Sequence, residues 1–456
     1  MLLVHLCYLH SAVMTESLRI IGKPPRLSEP ANSIRDNMSV QDVKRASLFR
    51  SRPLLPRIES VITPTKRFQH VVQFGNNSML VRALLRNRPW VQPYCDFCRI
   101  TGKGLRRGGS PSSSVNFLWT QYKCQTYLDA KLSGVAFEIV KNVETGIVPK
   151  ASTRVCKELM RIHNHFEGVA SMCTKRGLLE SLTAYLGDGV RAVMPESFVF
   201  KVGQDADAFE NNLRKQGETI WIVKPGEFSN RGSGIQILKT VADVMQLVRQ
   251  PTTPSWVVQK YIQRPMLLEG RKFDIRSYGF ISSKDGSSFE GYFFPHAYVR
   301  TASEQYSINN IDDRMAHLNN DAVQKHGKNY GKAEPGNKLT LEALEKKLKG
   351  TFSMEKVMSD IKDITTCVFK ACKSSLNPRN QKHCFEVVGF DFMVDDDCKV
   401  WLIEANTNPC LELVNAWLAH VIPTMLEGAL RLTLDDWTVG PQQYADANRW
   451  VPLDIN

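Results

Sequence analysis

Apolar and polar residues alternate along several short stretches of the chain, most clearly in the segment from Val387 to Asn406. Two alternating runs flank three consecutive aspartates at 395–397, so the pattern predicts a strand that Gly389 interrupts, a tight turn and a second strand. Because side chains in a strand alternate with a period of two, every second residue of the second run is predicted to face the same way. The residues predicted to share this face are Val400, Leu402, Glu404 and Asn406.

This shared face changes from apolar to acidic along its length. A carboxylate that ends a hydrophobic strand is costly to bury unless a cation or a hydrogen-bond donor meets it. Asp391, Glu404 and Asn406 would supply three oxygen ligands from adjacent strands, a set that suits Mg²⁺ together with phosphate and water oxygens. An ordinary hairpin with a charged tip is the alternative interpretation.

Periodicity and β-branched content predict further elements along the chain. A short apolar helix or strand is expected at 79–85, and the pair His163 and His165 is interpreted as structural, since two ligands two residues apart do not fit a helical metal pair. Strands are predicted at 115–119, 195–202, 219–223 and 256–261, the last two being central, and helices at 155–166, 175–186, 340–348, 354–371 and 415–432.

A lysine and a glycine-rich stretch follow the strand TIWIV, beginning at Lys224 and continuing through Ser229–Ile235. A lysine at a strand end can neutralise phosphates while the backbone N–H groups of the loop approach them. The spacing matches neither GxxxxGK[ST] nor GxGxxG, so the loop taken alone is better explained as an ordinary hairpin turn.

Charged and apolar residues also alternate in the segment RKFDIR, so Lys272, Asp274 and Arg276 are predicted to share one face of a strand. Three charges on one face fit a site that holds a phosphate, a hydroxyl group and a carboxylate. The alternative is an exposed edge strand with cross-strand ion pairs. Arg300 and Asn320 add polar side chains suited to a phosphoryl group, and arginine can bind such a group bidentately.

Composition is that of a globular protein: 456 residues are 43% hydrophobic and 23% charged, enough for two or three subdomains. The formal net charge is +13. Between Lys44 and Arg107 fourteen basic residues face two acidic ones, so nearly all of the excess lies there. A one-sided basic region suggests a polyanionic partner, either nucleic acid or an acidic protein tail, unless it is merely a solvated arm.

The eleven cysteines form no disulfide or zinc framework, since Cys95 and Cys98 make a single CxxC pair. Free thiols in a reducing compartment are expected. No apolar run reaches the roughly 20 residues that a membrane helix needs, so no membrane partner is expected. The first residues lack a basic segment before their apolar run and are interpreted as a disordered leader, with Met14 an alternative start.

Seven motifs occur in order between about residues 117 and 433: WIVKPG…RGSGI, VVQKYIQRPMLL, RKFDIR, VRTASEQY, HLNN, KNYGK and GFDFMV…VWLIEAN. In this order they resemble the tubulin–tyrosine ligase-like family. The resemblance implies an α/β (α+β) fold of the ATP-grasp type, with ATP between the central and C-terminal subdomains. The boundaries expected are a basic, partly disordered arm at 1–60, an N-terminal subdomain at 61–165, a central one at 166–265, a C-terminal one at 266–440 and a tail at 441–456.

The resemblance also assigns roles to single residues. Arg276 and Arg300 would hold the acceptor carboxylate or acyl phosphate, with Lys272 as a third catalytic residue. Asp391, Glu404 and Asn406 would bind Mg²⁺, in agreement with the interpretation of the hairpin. The residues that would contact ATP are Lys175, Lys224, Gln259, Lys260, Ile262, Lys272, Asp274 and Asn320.

The implied chemistry is ATP-dependent ligation of a free amino acid to a carboxylate of an acidic tubulin tail, through an acyl phosphate. The form of the loop favours glutamate, then glycine, although other motifs are close to the tyrosine-adding member. Asn319 stands where the family often has Thr, and Ser233 stands where several members carry a basic residue. A catalytically inactive tubulin-binding scaffold and a nucleic-acid-binding protein are the alternatives.

The resemblance places a monomer in the cytoplasm on microtubules, with the cilium or basal body as a further location. Because tubulin tails are acidic, the basic N-terminal segment is expected to bind them in a salt-sensitive way. Neutralising Arg82, Arg86 and Arg88 is therefore predicted to weaken tubulin binding and to leave ATP binding unchanged.

Overall fold

The computed structural model of the chain describes residues 68–73, 75–93, 115–142, 146–155, 159–227, 232–440 and 449–456. The predictions made for the leader, for most of the basic segment, for Cys95 and Cys98 and for residues 228–231 lie outside this range. The division into subdomains stays a prediction.

Two sheets and a separate hairpin hold the described strands. The strands are β1 (Phe68–Val72), β2 (Val91–Pro93), β3 (Phe117–Trp119), β4 (Val135–Asn142), β5 (Gly146–Val155), β6 (Ile162–His163), β7 (Ser197–Lys201), β8 (Trp221–Pro225), β9 (Gln236–Leu238), β10 (Ser255–Lys260), β11 (Leu267–Leu268), β12 (Arg271–Ser283), β13 (Glu290–Gln305), β14 (Lys338–Thr340), β15 (Cys384–Val394), β16 (Val400–Thr407) and β17 (Val451–Leu453). The strands predicted at 115–119, 195–202, 219–223 and 256–261 are confirmed.

The larger sheet has the order β14-β13-β12-β15-β6-β3-β1-β2, with β11, β16 and β17 pairing to β12, β15 and β13. Long antiparallel strands form one half of it, and β15 then meets β6 in parallel, followed by the short parallel strands β3, β1 and β2. The strand β12 lies between β13 and β15, so the exposed-edge alternative for the segment RKFDIR is wrong.

The smaller sheet has the order β7-β10-β8-β9 and is antiparallel. Trp221, Val223, Trp256 and Val258 of its two central strands pack on one face, against Phe209 and the helices that follow β7 and β9. The opposite face of these strands carries Lys224 and Gln259. One side of the sheet is therefore a core and the other is available for a site.

Seven of the thirteen α-helices in the described residues are capped at the N-terminus by a side chain. Thr174 caps the helix at 175–186 by accepting from the N–H of Gly177, and Ser353 caps the long helix at 354–376 in the same way. The helices are α1 (Ser78–Leu85), α2 (Gln125–Ser133), α3 (Ala170–Cys173), α4 (Lys175–Leu186), α5 (Val190–Val193), α6 (Ala206–Arg214), α7 (Val241–Val248), α8 (Arg314–His317), α9 (Asp321–Gln324), α10 (Leu341–Leu348), α11 (Met354–Leu376), α12 (Ala416–Leu430) and α13 (Asp436–Val439).

Two local predictions were wrong. The helix expected at 155–166 is absent from residues 159–166, where β6 inserts as a two-residue strand between β15 and β3. Gly389 does not interrupt its strand, since β15 is continuous. A Cβ on Gly389 would lie 2.7 Å from Cβ of Pro409 and 3.1 Å from Nη1 of Arg276, so the glycine makes room for these two side chains.

The prediction that one face of β16 runs from Val400 to Asn406 was also wrong. The pairing of β15 with β16 shifts by one residue, because Asp391 pairs with Glu404 while Phe392 pairs with Leu402. Leu402 faces the apolar core together with Phe392, whereas Glu404 is only partly buried and turns to the opposite side. This shift in pairing keeps the Glu404 carboxylate out of the apolar core. Glu404 therefore does not need the cation or hydrogen-bond donor that the sequence suggested for a carboxylate ending a hydrophobic strand.

Candidate active site

Charged residues form a continuous row across neighbouring strands of the larger sheet. Asp274 of β12 pairs with Arg300 of β13, and Arg276 of β12 pairs with Asp391 of β15. Asp391 in turn pairs with Glu404 of β16. The alternation predicted for RKFDIR therefore places its charges beside those of three other strands.

Two arginines and two aspartates form the centre of this row. Nε of Arg276 donates to Asp391 over 2.5 Å, and Arg300 donates bidentately to Asp274 over 2.6 and 2.8 Å. Nη2 of Arg300 also lies 2.9 Å from Asp391, so the two pairs are joined. Burial alone would raise the pKa of the Asp391 carboxyl, but Arg276 and Arg300 outweigh burial and hold that pKa well below its usual range.

Glu404 and Asn406 lie beside Asp391 at the end of the row. The amide of Asn406 donates to Glu404 over 3.1 Å and to Asp391 over 3.4 Å. Nζ of Lys175, the first residue of α4, lies 3.7 Å from Glu404. The three residues predicted to bind a metal ion are thus brought together, with a lysine from a separate helix.

Two buried lysines face this row. Nζ of Lys224 donates to Oε1 of Gln259 over 2.8 Å, and Nζ of Lys272 donates to the hydroxyl of Tyr261 over 2.9 Å. Burial lowers the pKa of Lys224 to about 8 and that of Lys272 to about 7. The pKa of Lys224 also responds to the charge of Glu404, so the smaller sheet and the larger sheet both contribute to one site.

Asn319 and Asn320 close another side of the site. Oδ1 of Asn320 would lie 3.6 Å from a Cβ placed on Gly232, so this asparagine adjoins the glycine-rich loop. Asn319 is buried, and its Oδ1 has no hydrogen-bond partner among the described residues. A buried amide oxygen without a donor is costly, so this atom fits a group that would donate from a bound ligand.

The structure does not bring two of the predicted ATP contacts to the cluster by their side chains. Lys260 points to the other face of β10, where its Nζ lies 2.7 Å from Glu196. Ile262 lines a surface cavity with Lys260, Asp395 and Trp401. Only the backbone of these two residues could serve the site.

The side chains present fit a nucleotide phosphate chain and Mg²⁺. Asp391, Glu404 and Asn406 supply carboxylate and amide oxygens, the ligands that hard cations take in proteins. Lys175, Lys224 and Lys272 supply ammonium groups in a largely water-excluded space, where they would neutralise phosphate charge.

Several residues that shape the site were not predicted from the sequence. Tyr261 and His317 hold Lys272, since Nδ1 of His317 lies 2.7 Å from the Tyr261 hydroxyl and Lys272 donates to the His317 carbonyl oxygen over 3.2 Å. Both lie in quoted motifs, VVQKYIQRPMLL and HLNN, and their position inside those motifs was the available signal.

The aspartates at 395–397 form the turn that was predicted between β15 and β16. Asp395 accepts from the backbone N–H of Lys399 over 2.9 Å and from Nε1 of Trp401 over 2.8 Å, and Asp397 accepts from Arg264. Their oxygens are close enough together to suggest an ion, yet these bonds explain the cluster as turn structure.

The prediction that Arg82, Arg86 and Arg88 bind an acidic tail was wrong for two of the three. Arg88 is buried, and its guanidinium donates to Asp435 over 2.6 and 2.8 Å and to Glu427 over 3.1 Å. Arg82 is buried as well, and donates to the Val72 carbonyl oxygen. Only Arg86 is exposed, because the other two fix α1 to the core.

Comparison with known protein families shows which family the chain belongs to. The family model described as "Tubulin-tyrosine ligase family" matches residues 153–442, well over half of the chain and including every residue of the site. The chain belongs to the tubulin-tyrosine ligase family. The mixed α/β fold and the family resemblance predicted from the motifs are both confirmed, and the tubulin-tyrosine ligase fold is of the ATP-grasp type.

Curated members of the tubulin-tyrosine ligase family match the chain at modest identity. The "Probable alpha-tubulin polyglutamylase Ttll1" of Tetrahymena thermophila is 27% identical over 328 residues, which cover 65% of this chain and 78% of that protein. The "Probable tubulin polyglutamylase ttll-9" of Caenorhabditis elegans is 31% identical over 224 residues, 48% of this chain and 52% of that protein.

A glycine-adding member matches a shorter stretch. "Tubulin glycylase 3B" of Tetrahymena thermophila is 30% identical over 220 residues, 47% of this chain and 18% of that protein. The chain thus covers less than two thirds of the length of several of these relatives. Among the described residues, no helix has both the length and the apolar character that crossing a membrane requires.

Proposed function

We propose that this chain is an ATP-dependent ligase that joins a free amino acid to a carboxylate of an acidic tubulin tail. The observation that carries the proposal is the row of charges in which Arg276 and Arg300 meet Asp391 and Asp274 beside Glu404. Family membership and relatives that act on tubulin support the same activity.

The residues of the row have separate roles in this proposal. When bound, ATP would supply the phosphoryl group and Mg²⁺, held by Asp391, Glu404 and Asn406, would neutralise part of the phosphate charge. Lys224 and Lys272 hold the phosphates, and Arg276 and Arg300 orient the acceptor carboxylate. Phosphoryl transfer depends on positioning and charge neutralisation more than on a nucleophilic side chain, so the row needs no serine, cysteine or histidine at its centre.

Release of an aspartate from each arginine would accompany substrate binding. Arg276 and Arg300 each donate bidentately to an aspartate, Asp391 and Asp274 respectively. If Asp391 turned to a cation, the N–H groups of Arg276 that now donate to it could bind an incoming carboxylate or phosphate, so these two exchanges would be coupled. Transfer of the phosphoryl group to the acceptor carboxylate would form an acyl phosphate and release ADP, and the amine of the free amino acid would then attack its carbonyl carbon, form an amide and release phosphate and a proton.

Glutamate is the amino acid that we propose, with glycine and then tyrosine as alternatives. The relatives that match include both polyglutamylases and glycylases at similar identity. The proposed place of action is the microtubule cytoskeleton, including the cilium, and the proposed state is a monomer.

Intact-mass analysis of tubulin tests the proposal. Tubulin would be incubated with the protein, ATP, Mg²⁺ and one of glutamate, glycine or tyrosine. A ladder of added glutamates is expected, and a ladder of glycines or a single tyrosine would instead name the alternative substrate. Glu404→Gln keeps the shape of the side chain and removes its charge, so it is expected to lower the rate by at least about 100-fold, as losses of transition-state charge stabilisation do.

Asp397→Asn is the matched control, because Asp397 lies on the exposed turn beside Arg264 and outside the row. It should leave the rate within about twofold of the original, as surface substitutions do. If tubulin gained no mass in any tube while the protein still bound ATP, the ligase proposal would be wrong and the scaffold alternative would replace it.

A further inference from the structure

Three lysines and no acidic residue lie in the segment between Asp321 and Glu334, which we call the lysine loop (residues 322–333). Lys325, Lys328 and Lys332 are all exposed. None of the three has a carboxylate within ion-pair distance among the described residues, and Nζ of Lys332 donates only to Oδ1 of Asn329. The loop therefore carries three positive charges without an ion-pair partner among the described residues, while the Glu304 carboxylate beside it accepts from Asn329.

Some exposed basic residues elsewhere in the described chain form ion pairs, as Lys201 does with Glu180 over 2.8 Å, and others, such as Lys215 and Lys239, form none. The two acidic residues that flank the lysine loop are occupied by other partners: Asp321 by Lys338 over 2.8 Å, and Glu334 by Arg271 over 2.7 Å. What distinguishes the loop is that three lysines without an ion pair lie within eight consecutive residues, 325–332.

Hydrogen bonds fix the lysine loop against the strand that carries Arg300. Oε1 of Gln324 accepts from the backbone N–H of Ser303 over 2.7 Å, and Nδ2 of Asn329 donates to Glu304 over 2.8 Å. The hydroxyl of Tyr330 donates to Asp321 over 2.8 Å, which returns the loop to the residue after Asn320. The lysines are therefore held at the edge of the active site and do not belong to a free tail.

The chemistry of the loop suits carboxylates spaced along a polypeptide. An extended chain rises about 3.3 Å per residue, so carboxylates on alternate residues lie roughly 7 Å apart. Flexible lysines three and four residues apart can follow such a spacing without a fixed register. The loop has no arginine, and its two aromatic side chains are His326 and Tyr330, whose hydroxyl donates to Asp321, so it lacks the row of aromatic rings on which nucleic-acid bases stack.

We propose that the lysine loop is the docking surface for the acidic polypeptide whose carboxylate is modified at Arg276 and Arg300. This inference rests on the proposed function for the identity of the acceptor, but the binding itself does not depend on catalysis. The loop takes the role that the sequence assigned to Arg82 and Arg88, which are buried.

Binding of a fluorescent glutamate-rich peptide of about twelve residues to the full chain, without ATP, tests the proposal by anisotropy. The test variant carries Lys325→Gln, Lys328→Gln and Lys332→Gln. The control variant carries Lys215→Gln, Lys239→Gln and Lys349→Gln, three exposed lysines on other segments with the same change in net charge. At low salt the test variant is expected to bind at least about tenfold more weakly, and its affinity should depend less on salt.

Three results would overturn the proposal: equal binding by both variants, no binding to the original chain, or tighter lysine-dependent binding of a single-stranded oligonucleotide of equal charge. The last result would assign the loop to nucleic acid. If the peptide binds through the lysines and tubulin gains no mass in the ligation experiment, the docking surface stands and the proposed function fails.

Discussion

Buried charged side chains determine the electrostatics of the site, and Lys272 shows this most clearly. The free amine of a lysine normally appears only above pH 10, whereas burial lowers the pKa of Lys272 to about 7. Because the unfolded chain keeps the ordinary pKa, it binds more protons than the folded chain between pH 7 and 10. The stability of the ligand-free protein should therefore rise with pH across this window on account of Lys272.

The lowered pKa of Lys272 also predicts that the protein takes up protons when it binds ATP. At pH 8 the amine of Lys272 is largely neutral in the free protein, and a phosphate chain beside it would favour the ammonium form. Calorimetry of ATP binding in buffers with different ionisation enthalpies should give an uptake of roughly half a proton to one and a half protons, with Lys224 contributing. Lys272→Met should reduce the proton uptake. If the original chain took up no protons when it bound ATP, the placement of Lys272 beside the phosphates would be refuted.

At the scale of elements, a buried ion cluster fixes α1 to the end of α12. Arg88 meets Glu427 and Asp435, and Arg431 donates to Glu427 over 2.8 Å, so two arginines balance two carboxylates. Leu84 and Leu85 of α1 are buried on the same side. The segment at 431–435 is wound as a π-helix, and this winding brings Asp435 to Arg88.

Arg88→Ala would leave two buried carboxylates with one arginine. Removing one partner of a buried pair costs about 3–5 kcal/mol, so the free energy of unfolding should fall by about this amount. Arg86→Ala, two residues away and exposed, should change it by less than about 0.5 kcal/mol. Urea unfolding of both variants checks the prediction, and similar losses in the two would show that the cluster is not what stabilises α1.

The sequence predicted elements whose signal is local. Alternation predicted β12 and β15, and the amphipathic pattern predicted α4 at its observed bounds. The shift between Asp391 and Phe392 was not predictable, because it depends on how β16 pairs with its partner. Arg88 was mistaken for a surface charge because its partners lie 339 and 347 positions away in the chain.

At the scale of the whole molecule, the turn before α1 holds the loop that follows β16. Nδ2 of Asn76 donates to Oδ1 of Asn408 over 2.5 Å and to the Pro409 carbonyl oxygen over 2.7 Å. Its Oδ1 accepts from the N–H of Leu411 over 3.0 Å, and Asn77 donates to the Leu411 carbonyl oxygen. This loop begins two residues after Asn406, so an N-terminal turn positions a proposed metal ligand.

Asn76→Ala should therefore raise the Mg²⁺ concentration needed for half-maximal amino-acid addition by roughly three- to tenfold, as loss of an outer partner of a metal site can. Asn211→Ala, an exposed asparagine on α6, is the control and should leave this concentration unchanged. Thermal unfolding separates the effect from a loss of folded protein. An unchanged Mg²⁺ requirement in Asn76→Ala would show that the turn has no part in the site.

The mixed sheet has a consequence for dissecting the protein into parts. The family model begins at residue 153, yet β3 and β1 continue the sheet beyond β6, and Arg88, in the turn after α1, supplies the guanidinium that meets Glu427 and Asp435. A fragment cut to residues 153–442 would leave the backbone groups of β6 unpaired on one side. It would also leave Glu427 and Asp435 buried without the guanidinium of Arg88. The part of the chain that the family model matches is thus smaller than the part whose strands and side chains complete the sheet and the buried ion cluster.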